Sequence, residues 1–292
     1  MRKITKKIVS VVTSCAMVVA LGAAIPQFSV KNVSAANASS TLIWSDEFNG
    51  SSLDTSKWNY ETGTGSGGWG NNERQYYTNR TDNVYVSGGS LHIKAKRENY
   101  GGMNYTSGRI KTAGKFSFKY GYVEARLALP ASSGIWPAFW MLGENIGSVG
   151  WPACGEIDIM ENKGSSSTTT SSALHYTDRN GNHAYQAGAY SFSERNGEGT
   201  IEDWHTYYLI WNEEQMDFYV DDHLKLTVPR RTWHPEGGKT YPGDDDAPFN
   251  KDFYVILNMA VGGNFDNGRE PDPSFTSASM QVDYVRMYAY ND

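Results

Sequence analysis

Three carboxylates fall within six residues in Gly155-Glu156-Ile157-Asp158-Ile159-Met160-Glu161-Asn162. Two acids held at a fixed spacing can cleave a glycosidic bond, one acting at the anomeric carbon and the other giving a proton to the departing oxygen. Apolar residues alternate with acids from Glu156 to Ile159, the pattern of a strand rather than a helix. Residues two apart on a strand share a face, so Glu156 and Asp158 point the same way. Strict alternation would turn Glu161 to the opposite, buried face, where an unpaired carboxylate is expensive. One extra residue at Ile159–Met160, a β-bulge, resets the parity and returns Glu161 beside the other two. Backbone rise separates Glu156 and Glu161 by roughly 13–15 Å. Extended side chains leaning across a concave strand can close the carboxyl gap to about 5–6 Å, the spacing of a retaining glycosidase. Asp158 sits where its charge or hydrogen bond can separate the two pKa values. A solvated acidic strand face and a calcium site are the competing readings, although a calcium loop wants irregular backbone and a turn glycine.

The elements that must position these acids are strands. Aromatic residues make up 13% of the chain and glycines number 30, while no long segment keeps a helical period. Alternating runs occur at 90–95, 115–120, 122–127, 207–211, 215–220, 253–258 and 281–288, separated by turn-forming residues, the pattern of a sandwich or barrel. Asp221-Asp222 is expected at a hairpin tip, and Ser165–Ser172 as a loop or edge strand. Just before the acids, Trp136-Pro137-Ala138-Phe139-Trp140 puts Trp136, Ala138 and Trp140 on one strand face and Phe139 on the other, with Trp151 close behind. Indole faces suit the C–H patches of pyranose rings, but core packing is the commoner fate of tryptophan.

With its extra Met160, Glu156-Ile157-Asp158-Ile159-Met160-Glu161 resembles the active-site signature of glycoside hydrolase family 16, in the form of its laminarinase branch, the endo-β-1,3-glucanases. Family-like stretches run from Trp44 to Tyr288. The resemblance implies an all-β fold, a β-jelly-roll sandwich of two curved antiparallel sheets with a concave substrate cleft. It implies Glu156 as nucleophile and Glu161 as acid/base with Asp158 tuning the pair; spacing alone does not say which Glu attacks. An ionised Glu156 beside a Glu161 of raised pKa is then expected. Trp136, Trp140 and Trp151 become sugar platforms, Asn71 in Trp69-Gly70-Asn71-Asn72-Glu73 a hydroxyl partner, and Arg109 in Ser107-Gly108-Arg109 a residue near the substrate. His175 is expected near the acids. No cofactor is implied for catalysis. Glu47 and Asp283, with a backbone oxygen near Gly89, match positions of a structural calcium in relatives. A β-1,3-1,4-glucanase and a non-catalytic β-glucan-binding module are the alternatives.

Residues 1–36 are read as a secretory signal peptide: a basic head of Arg2, Lys3, Lys6 and Lys7, an apolar stretch from Ile8 to Ile25, and small residues at Val33-Ser34-Ala35-Ala36. Residues 37–292 then form a single catalytic domain, secreted, extracellular and monomeric. Loss of five basic residues takes the net charge from −6 to −11. Such a surface disfavours nucleic acid and anionic membranes and suits a neutral polymer such as β-glucan. Only Cys154 remains after processing, so no internal disulfide is expected, and the residue reads as small and buried rather than catalytic. Gly63, Gly65 and Gly68 imitate a dinucleotide loop without a following helix, and Gly238-Lys239-Thr240 the end of a P-loop with Trp233 where Gly is required. Asp244-Asp245-Asp246 reads as a solvent-facing turn. Scattered histidines and the absence of a serine elbow disfavour zinc and serine hydrolases.

Overall fold

Period-two alternation commits nearly every apolar run to a strand, and among the described residues seventeen strands pair into two sheets. The computed structural model describes residues 40–233 and 247–291. The segment read as a signal peptide lies outside the described residues, as do residues 238–240 and 244–246. The larger sheet contains β1 (Ser40–Asp46), β3 (Gln75–Tyr77), β4 (Val84–Ser87), β5 (Ser90–Tyr100), β6 (Met103–Ser107), β8 (Gly121–Ala128), β13 (His205–Trp211), β14 (Gln215–Val220), β15 (His223–Pro229) and β17 (Ser277–Tyr290). The smaller contains β2 (Asn59–Tyr60), β7 (Arg109–Lys111), β9 (Ile135–Gly143), β10 (Glu156–Glu161), β11 (Thr169–Thr177), β12 (His183–Ser191) and β16 (Phe253–Val261), in the order β12-β11-β10-β9-β16-β7-β2. Pairing is antiparallel except for β3 with β6. This is the expected jelly roll, with the cleft on the open face of the smaller sheet. Among the described residues no helix is long and apolar enough to cross a membrane.

The core lies between the sheets. Ile157, Ile159 and Met160 of β10 and Phe139 of β9 meet Val123, Ala125, Leu209 and Phe218 of the larger sheet there. Burying a side chain of this size stabilises by about 1.5–3 kcal/mol, so a slip by one residue in β10 would exchange apolar for acidic side chains in the core. The expected hairpin tip forms at Asp221-Asp222, with Asp221 in the left-handed region, and Thr169–Ser172 falls within β11. The glycine run from Gly63 leads into a tight turn at Gly68–Asn72 with left-handed residues inside, not a phosphate-binding helix.

The run 115–120 is not a strand. Its amides at Lys115 and Phe116 bond back to the Thr112 carbonyl in a turn, and a single bridge joins Phe118 to Phe253. Its alternation serves side-chain packing instead: Phe116 stacks on Trp44 at 5.6 Å and Phe118 meets Trp211 edge-on at 5.9 Å.

Candidate active site

The bulge forms where the parity of the acids demanded it. Against β9, Asp158 pairs with Trp140 and Met160 with Phe139, leaving Ile159 without an opposite number. Against β11, Asp158 pairs with Ala173 and Glu161 with Ser171, so Ile159 and Met160 together face Ser172. Two successive apolar side chains therefore enter the core, and Glu156, Asp158 and Glu161 all face the cleft. Gly155, just upstream, has φ +77°, and a Cβ there would stand 2.9 Å from both Phe253 and Pro248. Only glycine delivers the chain into β10 at that point.

The cleft encloses about 630 Å³, with Trp136, Ala138 and Trp140 of β9 on its floor. An indole attends each glutamate. Trp151 Nε1–H donates to Glu156 Oε2 at 2.9 Å, and Trp136 Nε1–H donates to Glu161 Oε1 at 3.0 Å. Trp136 also stacks on Phe265 at 4.9 Å, while Trp151 is 50% exposed at the rim. His175 Nε2 stands 3.4 Å from Asp158 Oδ2 and 4.0 Å from Glu156 Oε1. Its Nδ1 lies 2.8 Å from His183 Nε2, a hydrogen bond whose donor is set by the tautomers of the two rings.

Burial raises the pKa of all three acids. Glu156 is pushed up to about 7 by desolvation, against the pull of Trp151 and Arg109. Glu161 is pushed up to about 7 by desolvation and the charge of Glu156, against Trp136 and Lys225. Asp158, 4% exposed and with Oδ2 lacking a hydrogen bond, lies well above the ordinary range through desolvation and both neighbouring charges. The raised pKa expected of Glu161 is shared by Glu156, because desolvation reaches both glutamates. Three crowded carboxyls hold at least one proton between them, and Asp158 is its most buried seat. Burial also lowers His175 to about 4, leaving it uncharged at neutrality.

Arg109 lines the cleft, as expected, and is also packed against its aromatic residues. It lies between the indoles of Trp69 and Trp140, 4.5 and 4.9 Å from their ring centroids, and its Nε–H donates to Glu61 at 2.5 Å. Only 8% exposed, it props two platforms from beneath while lining the cleft through the gap. Trp140 Nε1–H in turn donates to Asn258 on β16 at 2.7 Å. Asn71 lines the cleft as expected and hydrogen-bonds Glu73, a buried carboxyl raised by desolvation. Glu73, His183, Tyr185, Asn258 and Phe265 also line the cleft, none of them singled out as a site residue by sequence. Their signal was weak: they come from four separate segments, His183 and Tyr185 sharing β12, and only the fold brings them together. Cys154 is buried, its thiol pushed up to about 12 by burial and the charge of Glu156, so it offers no thiolate.

The carboxylates expected at a calcium site are each paired with a guanidinium. Arg286 grips both oxygens of Glu47, at 2.9 and 2.7 Å, and Asp283 accepts from Arg126 at 2.7 Å. Carboxylates paired with guanidiniums are poor cation ligands, so Glu47 and Asp283, paired as they are here, do not fit a calcium site.

Carboxylates flanked by indole donors, in an open cleft on a jelly roll, define a glycoside hydrolase. The chain belongs to the glycosyl hydrolases family 16, whose model matches residues 71–284. It is 43% identical over 264 residues to glucan endo-1,3-beta-glucosidase A1 of Niallia circulans, covering 86% of this chain and 38% of that protein. To the beta-glucanase of Rhodothermus marinus it is 40% identical over 258 residues, covering 85% of both. The catalytic domain of an endo-1,3-beta-glucanase (laminarinase) from Thermotoga petrophila superposes with a TM-score of 0.77 at 37% identity, over 87% of this chain and 99% of that one.

Proposed function

We propose that the chain is an endo-acting β-1,3-glucanase that cleaves laminarin-type glucan with retention of configuration. The observation that carries this reading is the bulge in β10, which brings Glu156, Asp158 and Glu161 onto one cleft face between Trp136 and Trp151. Relatives named as β-1,3-glucanases and laminarinases support the linkage.

In the first step Glu156 attacks the anomeric carbon from the α face, and the bond to the leaving oxygen breaks as Glu161 gives that oxygen its proton. The product is an α-linked glucosyl ester on Glu156. In the second step Glu161 takes a proton from water, which attacks the same carbon and frees Glu156. A protonated Asp158 beside Glu156 keeps the nucleophile's charge tolerable, and bound sugar on the indoles excludes water from the trio. Secretion as a monomer accords with the N-terminal segment 1–36 and the acidic remainder.

Azide rescue tests the assignment. Glu156→Ala should lose laminarin turnover and, with added azide and an activated substrate, form an α-glucosyl azide. A β-azide would reverse the two roles. Reducing-end release from laminarin well above that from lichenan is expected; the opposite ratio would make the enzyme a mixed-linkage glucanase. Glucan binding without turnover of either would make it a binding module.

A further inference from the structure

The strand β15 runs against its own pattern. In His223-Leu224-Lys225-Leu226-Thr227-Val228 an alternating strand would bury the leucines and expose the lysine. The structure does the reverse: Lys225 is 8% exposed and Leu224 51% exposed. A bulge causes it, because Phe218 pairs with Leu226 and Tyr219 with Leu224, so that Lys225 is the extra residue. Burying an ammonium while exposing a leucine is unfavourable on both counts, and such conflicts mark functional positions.

Lys225 comes from the larger sheet, yet its Nζ crosses to the smaller one and donates at 2.7 Å to the carbonyl of Ile159. That is the residue β9 leaves unopposed at the bulge in β10. Ser172 Oγ–H donates to the same carbonyl at 2.7 Å. Opposite Ser172, on β12, stands Gly188, whose Cβ would lie 2.3 Å from the Lys225 carbonyl, so glycine is what lets β15 come this close. Two bulges in different sheets thus meet at one hydrogen bond.

We propose that Lys225 is a positioning residue for the acid/base of the proposed glucanase: it anchors the Ile159 carbonyl from across the sandwich and so fixes where Glu161 presents its proton. A bulge frees a carbonyl from its ladder, and an unsatisfied buried carbonyl would let the strand relax toward another register. A charge-assisted donor holds it more firmly than a neutral one. Desolvation lowers the pKa of Lys225 to about 7 against the pull of Glu161, and while charged its ammonium favours the ionised form of Glu161. Around Glu161 the other ionisable groups are Glu156 and Asp158 on β10 and Lys163 beyond it, with Trp136 from β9 and Ser171 from β11 as neutral neighbours. Around Lys225 they are Glu161 from β10 and Tyr207 from β13, whose ring centroid is 5.3 Å from Nζ; β11 and β12 present Ser172 and Gly188.

The role rests on Glu161 being the acid/base, so the test includes Glu161→Gln. Lys225→Met and Lys225→Arg are compared with the parent chain on laminarin across pH, and on a dinitrophenyl β-laminaribioside whose leaving group needs no proton. Lys225→Met should lose about 10- to 100-fold in kcat/KM on laminarin and much less on the dinitrophenyl substrate. Its basic limb should move to higher pH, since removing a cation raises the pKa of Glu161. Lys225→Arg should restore most of the rate. Equal losses on both substrates with an unmoved limb, or no loss at all, would overturn the proposal. Should Lys225→Met fail to fold, Ser172→Ala removes the other donor and must show the same dependence on leaving group, or the proposal falls. A Glu161→Gln enzyme active on laminarin would instead remove the acid/base assignment itself.

Discussion

Each glutamate has its own indole N–H, and the two hydrogen bonds give separate handles on the two limbs of the pH profile. Trp151 holds the pKa of Glu156 down, so Trp151→Phe should raise it and move the acidic limb of kcat/KM to higher pH, because the nucleophile must be ionised. Trp136 holds Glu161 down in the same way, so Trp136→Phe should move the basic limb to higher pH, because the acid keeps its proton longer. Each shift should be about one to two pH units, the worth of one hydrogen bond to a charged group. Swapped limbs would swap the roles. The three acids were legible in sequence because alternation with one bulge assigns their faces, whereas the place of Trp136 and Trp151 in the cleft came from the resemblance to the family. Lys225 was hidden because the same rule points it outward. His183 was hidden because nothing local to it announces His175 across the ladder.

At the scale of elements, the platforms are only as rigid as what lies beneath them. Arg109 joins β7 to the turn at Gly68–Asn72 through Trp69 and to β9 through Trp140, with Glu61 as its counter-ion. Desolvation would raise Glu61, yet Arg109 and Lys111 hold its carboxyl below the ordinary value. Arg109→Lys keeps the charge and loses the plane that stacks. We expect KM for laminarin to rise about tenfold, kcat to change less, and Tm to fall by about 2–4 °C. A raised KM with unchanged Tm would make Arg109 a sugar contact rather than a prop, as the sequence suggested. Most strands were legible because one face of each is apolar. The run 115–120 misled because aromatic side chains also alternate when they cover a sheet edge from a turn. Glu47 and Asp283 misled because their partners, Arg286 and Arg126, come from register and not from neighbouring sequence.

For the whole molecule, the carboxylate trio opposes stability at neutral pH. Asp158 binds its proton more tightly folded than unfolded, where its value is near 3.8. Its contribution to stability is therefore complete below about pH 4 and fades as pH rises toward the folded value. Glu156 and Glu161, pushed up to about 7, behave alike between their unfolded value of 4.5 and neutrality. The fold bears this because strands on both sides of β10 fix it in register. Asp158→Asn replaces the protonated acid with a near-isostere that never ionises. Thermal unfolding near pH 7 should then show Tm raised by about 2–4 °C for each kcal/mol regained, with the gain shrinking toward pH 4. Laminarin kcat/KM should fall, because an amide cannot hold the shared proton or tune the pair. A Tm gain that grew toward acid pH would mean that Asp158 is ionised in the folded protein. The proton would then reside on a glutamate, and the separation of roles between Glu156 and Glu161 would have to come from bound sugar rather than from the empty cleft.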